Sequence, residues 1–89
     1  MSMDREIWKS SFYKKKFIRL DAADKQRVVE TENRVIEGKA GILKIPIWMP
    51  DGKIKCYAIF VENPERNIVI YFDEDKEKVE FLFIEWFVG

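Results

Sequence analysis

The chain has no histidine and one cysteine among its 89 residues, with only four glycines and three prolines. Without histidine, the side chain that most often moves protons near neutral pH is missing. Paired thiols are missing too, so the composition does not suit a zinc site, and Cys56 has no partner for an internal disulfide. The glycines are isolated, which excludes a glycine-rich phosphate loop. No cofactor and no metal are expected. No apolar run approaches the length of a membrane span. Met1 to Ile7 is charged and no apolar segment follows it, so the expected setting is the cytoplasm. An excess of charge is also lacking. Lys plus Arg and Asp plus Glu both number 16, and a net charge of zero does not suit a generic polyanion binder.

What is present is a small apolar core and an uneven distribution of charge. Hydrophobic residues make up 47% of the chain, enough for one globular domain spanning residues 1–89. Residues 1–55 carry a net +5 and residues 56–89 a net −5. Such asymmetry marks either an interaction surface or two halves that neutralise each other in the fold.

The hydrophobic period divides the chain. Arg5 to Lys9 reads as a short strand, and Ser10 or Ser11 suits a helix N-cap. Phe12, Tyr13, Phe17 and Leu20 fall within about 140° on a helical wheel, a core-facing stripe. Lys14, Lys15 and Lys16 then fan around the helix and form no single patch. Asp21 caps a second helix from Ala22 to about Glu37, with Val28, Val29, Val35 and Ile36 inward and Gly38 at its end. The two helices make a helical hairpin. After Gly41 the period becomes two. Strands are expected over Ile42–Met49, Lys53–Val61, Ile68–Phe72 and Val79–Phe87, the first an edge strand because Pro46 cannot donate to a ladder. The expected fold class is α+β, an N-terminal helical hairpin packed on a three- to four-stranded antiparallel sheet. Most strands are apolar on both faces. Phe81 and Phe83 should point one way, and Leu82, Ile84 and Trp86 the other. Two short helices cannot cover both faces, so a partner is expected, at Trp48, Leu82, Ile84 and Trp86.

REIWKSSFYKKKFIRLDAADKQRVVETENRVIEG followed by NIVIYFDEDKEKVEFLFIEWF resembles the RelE/ParE superfamily of toxins from toxin–antitoxin systems, the HigB-like branch included. The shared order is strand, basic helix, Leu-containing elbow, amphipathic helix ending in Gly, and a closing hairpin around an acidic turn. The resemblance implies a metal-independent endoribonuclease that inhibits translation by cutting mRNA at the ribosome, or a poison of DNA gyrase, masked by a cognate antitoxin. The sequence departs from that pattern in the cleavage layer. Ile68 stands three residues before Tyr71, where the family usually has Arg, and the chain ends Glu85-Trp86-Phe87-Val88-Gly89 where the family is basic. A diverged member fits these departures.

Cutting RNA by its own 2′-hydroxyl needs a base, a cation and an acid. With histidine absent, the useful spacing is Lys53, Lys55 and Tyr57 alternating along one strand, with Arg66 nearby, as candidate catalytic residues. Lys44 on the preceding strand, with Lys15 and Arg19 on the first helix, are candidate RNA-binding residues. Lysines at alternate strand positions are also how edge strands resist aggregation. A non-catalytic interaction protein, whether inhibitor, adaptor or homodimer, is the alternative function.

Overall fold

The computed structural model describes residues 5–39, 43–61 and 67–87, with the side chain of Phe87 left aside. The elements run β1 (Glu6–Lys9), α1 (Ser11–Ile18), α2 (Ala22–Ile36), β2 (Ile45–Trp48), β3 (Ile54–Val61), β4 (Asn67–Glu74) and β5 (Lys78–Phe87). The class is α+β, as expected, but the sheet is larger than expected and mixed. It has five strands in the order β1-β5-β4-β3-β2. β2 to β5 form an antiparallel meander, and β1 adds to β5 in parallel, Glu6 opposite Lys78 and Lys9 opposite Phe81. The short strand seen in the sequence thus joins the sheet. Its pairing is non-local, and Glu6 N–H donating to the Glu77 carbonyl (2.8 Å) and Ser10 N–H to Phe81 (3.0 Å) close its two ends.

Local chemistry sets the helix boundaries. The Ser10 hydroxyl accepts from the Tyr13 amide and Asp21 from the Asp24 amide, each at the N-cap position. α2 stops at Gly38, whose φ of 77° is left-handed. Gly38 N–H donates to Val35 and Lys39 N–H to Arg34, which satisfies two carbonyls of the last turn. Pro50-Asp51-Gly52 turns as expected, with φ 87° at Gly52.

Both helices lie on one face of the sheet. The core gathers Tyr13, Leu20, Val28 and Val35 from the helices with Ile59, Val61, Ile68, Ile70, Phe72, Val79, Phe81 and Ile84 from the strands. Two departures from the helical wheels stand out. Phe12 is not in the core but 66% exposed, and Val29 is exposed too. The buried face of α2 instead includes Asp24, Thr31 and Glu32. Glu32 is acceptable there because the Tyr13 hydroxyl donates to it at 2.5 Å and Lys9 lies 3.4 Å from its other oxygen. Burial, then the Glu32 charge and this hydrogen bond, push the Tyr13 hydroxyl far above its ordinary range, so it remains a donor.

Two bulges overturn the strict alternation read from the strands. Phe72 pairs with Phe81 and Tyr71 with Phe83, so Leu82 is an extra residue on β5. Ile84 and Trp86 therefore return to the helix-covered face that Phe81 occupies, and Phe83 turns to the opposite one. On β3, Ile47 pairs with Cys56 and Trp48 with Ile54, which leaves Lys55 as the extra residue.

Candidate functional site: an uncovered sheet face with a cationic rim

The second face of the sheet carries an apolar row, with the carboxylates of Asp73, Glu80 and Glu85 on the same face by register. The row runs Ile45, Ala58, Tyr71, Phe83, since these residues are register partners. Beside it lie Ile47 and Cys56 on one side and Phe60 and Val69 on the other. Cys56, Ala58 and Val69 are buried among larger neighbours, whereas Ile45 is exposed and Phe60 is 57% exposed. Burial pushes the Cys56 thiol up, so it is a packed thiol and not a nucleophile. Tyr71 donates to Glu85 at 2.9 Å, and that bond, with some burial, raises the tyrosine. The buried side chains of α1 and α2 belong to the core on the other side, and among the described contacts α1 reaches this face at Phe83.

At its β5 end the face meets α1. β1 pairs only with Lys78 to Phe81, so the second half of β5 has no strand on that flank and α1 lies there instead. The Ser10 hydroxyl donates to the Leu82 carbonyl and anchors the helix start. Phe12, Lys15, Lys16, Arg19 and Phe83 line a cavity of about 170 Å³. The Lys16 ammonium lies 4.6 Å from the Trp86 ring centre and 5.6 Å from that of Phe83. Lys15 and Lys16 therefore share a patch with Arg19, while the three lysines together still form no single patch. Lys14 lies apart, in a second cavity of about 360 Å³ with Lys9, Tyr13, Phe17 and Ile18.

The candidate catalytic residues are not brought together. Lys53 is exposed in the turn before β3, its amide held by Asp51 at 2.9 Å. Lys55 is the exposed bulge residue, so the alternation that would align it with Tyr57 is broken. Tyr57 is half-buried on the helix-covered face, its ring 5.8 Å from Phe72. Arg66 lies outside the described residues. Lys44 covers the Tyr57 ring at 4.3 Å and is paired with Glu74 at 3.0 Å. Glu74 also takes Arg5 at 2.7 Å, and Arg5 donates onward to the Val35 and Ile36 carbonyls at 2.8 Å each. Burial raises the Glu74 carboxyl, but the hydrogen bonds from Arg5 and Lys44 outweigh it and hold the group below the usual carboxylate range. This cluster ties the end of β4 to the end of α2. Its cations are already engaged.

Lys15 and Arg19 are brought together, but along β5, while Lys44, Lys53 and Lys55 lie at the β2–β3 edge. β4 separates β3 from β5, a distance of about 10 Å across two strand spacings. Of the expected partner contacts, Trp48 is exposed at the β2 edge. Leu82 and Trp86 are half-buried, and Trp86 packs on the core. Ile84 is fully buried in the core and offers no surface. Its burial follows from the Leu82 bulge. Phe12, Phe60 and Phe83 were missed as surface residues. For Phe12 the signal was available, because Phe12, Lys15, Lys16 and Arg19 follow helical i, i+3, i+4, i+7 spacing.

Among the described residues, no group of three or more His, Cys, Asp or Glu side chains is placed to hold a metal ion. Among the same residues, no helix is long and apolar enough to cross a membrane. Comparison with protein-family models, with curated proteins and with solved structures finds no match to this chain.

Proposed function

We propose that the protein is a diverged, non-cleaving relative of the RelE/ParE-like toxins that acts in the cytoplasm by docking a protein partner, an antitoxin-like chain or a second copy. The single observation that carries this reading is the pair of exposed apolar side chains Ile45 and Phe60, standing beside Ala58, Tyr71 and Phe83 on the sheet face away from the core. An apolar face of this kind is a docking surface more often than it is free. The order strand, helix, helix, meander is the one the resemblance implies. The test is a photoreactive phenylalanine at position 60, with one at exposed Gln26 on α2 as control, in the cells that make the protein. Crosslinking to one defined chain from position 60 alone is expected. Equal or absent crosslinking at both positions contradicts the reading.

A second reading, ribosome-dependent cleavage of mRNA, is favoured by the meeting of Lys15, Arg19 and Phe83 in one groove. It predicts new mRNA ends when the purified protein is added to translating ribosomes, lost in the Lys15→Ala/Arg19→Ala variant. The first reading predicts no new ends.

A further inference from the structure

The groove between α1 and β5 has a chemistry of its own. Its lining is three cations over aromatic rings: Lys15, Lys16 and Arg19 around Phe12 and Phe83. From Ser11 to Leu20 there is no acidic residue. No described carboxylate forms an ion pair with these three cations, as is also true of Lys14, Lys25 and Lys53, and what sets the three apart is that they line one cavity together. We propose that this groove receives an acidic segment of a protein partner, one apolar side chain of which seats between Phe12 and Phe83 while its carboxylates meet Lys15, Lys16 and Arg19. The inference rests on the docking reading above and names the chemistry of the docked chain.

Three observations select this occupant. The cavity, at about 170 Å³, falls below the roughly 300–1,000 Å³ of pockets that enclose a small-molecule ligand, and it suits one anchoring side chain. The Lys16 ammonium lies over the Phe83 ring, 5.6 Å from its centre, so a carboxylate that meets it does so against an apolar surface, where a charge pair is stronger than in open water. Phe83 is continuous with the apolar face through its pairing with Tyr71, so a chain leaving the groove runs onto the sheet. There it passes Glu85, Asp73 and Glu80, which share that face by register. A peptide can change from acidic to apolar or basic along that path. A phosphate backbone cannot, so nucleic acid is the poorer occupant.

The test uses the whole protein and three labelled probes: a peptide of alternating Glu and Phe, the same peptide with Gln for Glu, and a uridine oligomer. Anisotropy gives affinity, and amide NMR shifts give the place. The Glu/Phe peptide is expected to bind at least tenfold more tightly than the Gln peptide and to weaken as salt rises. It should move the signals of Phe12, Lys15, Arg19 and Phe83, and lose at least tenfold in affinity with Lys15→Gln/Arg19→Gln. Equal binding of the Gln peptide, tighter binding of the RNA at these residues, no binding, or an unaffected folded double variant each overturns the groove assignment. If the groove fails while position 60 still crosslinks to a defined chain, the docking reading stands alone. If the peptide binds but position 60 crosslinks to nothing, the groove stands and the sheet-face reading falls.

Discussion

Replacing Tyr13 by phenylalanine removes one oxygen from the centre of the molecule. That hydroxyl donates to Glu32 at 2.5 Å, and both residues are buried. Phenylalanine keeps the ring and its contact with Phe81, 5.3 Å between centres, so packing is retained. What is lost is a hydrogen bond to a charged acceptor, and Glu32 is left with Lys9 alone at 3.4 Å. Bonds to charged groups contribute about 1.5–3 kcal/mol, and a buried carboxylate without its donor adds desolvation cost. The expected loss is about 2–3 kcal/mol, or roughly 10–20 °C in Tm for a domain of this size. Urea unfolding followed by tryptophan fluorescence measures it. Tyr13→Phe with Glu32→Met removes donor and acceptor together and should recover part of the loss, because no charge is left stranded. A loss below about 0.5 kcal/mol for Tyr13→Phe, or a double variant less stable than Tyr13→Phe alone, refutes the reasoning.

Arg5→Ala should cost about 2 kcal/mol in urea unfolding, since one guanidinium serves Glu74 and two carbonyls at the end of α2. Glu74 titrates below its ordinary value in the folded state, so its contribution is full above the ordinary carboxyl range and is lost as pH falls through the depressed folded value. Arg5→Ala should therefore flatten the decline of stability below about pH 4.5. Gly38→Ala places a Cβ at φ 77°, where nothing crowds it, and should cost about 1 kcal/mol from backbone conformation alone.

Local features of this fold were readable from the chain. The Ser10 and Asp21 caps, the Gly38 stop and the turn at Pro50-Asp51-Gly52 depend on side chains within a few residues of one another. The apolar character of both sheet faces was also readable, since it needs only composition along the strands. The pairing of β1 with β5 was not, because no local signal in Glu6–Lys9 chooses a parallel neighbour some 70 residues away. Nor were the bulges. One extra residue at Leu82 reverses every later side chain on β5, which moved Ile84 from an expected interface into the core and brought Phe83 out. Glu32 escaped the core reading because a charged residue is buried only where partners await it, here Tyr13 and Lys9 from other elements. For the site, Lys15 and Arg19 were named from helical spacing and do share a groove, while Lys53, Lys55 and Tyr57 depended on an alternation that the β3 bulge breaks.

Native mass spectrometry of the protein isolated from the cells that make it tests the docking account most directly. The account predicts a stoichiometric complex, with another chain or a second copy, that Phe60→Asp dissociates while the far-UV spectrum is unchanged. A folded wild-type monomer with nothing bound contradicts it.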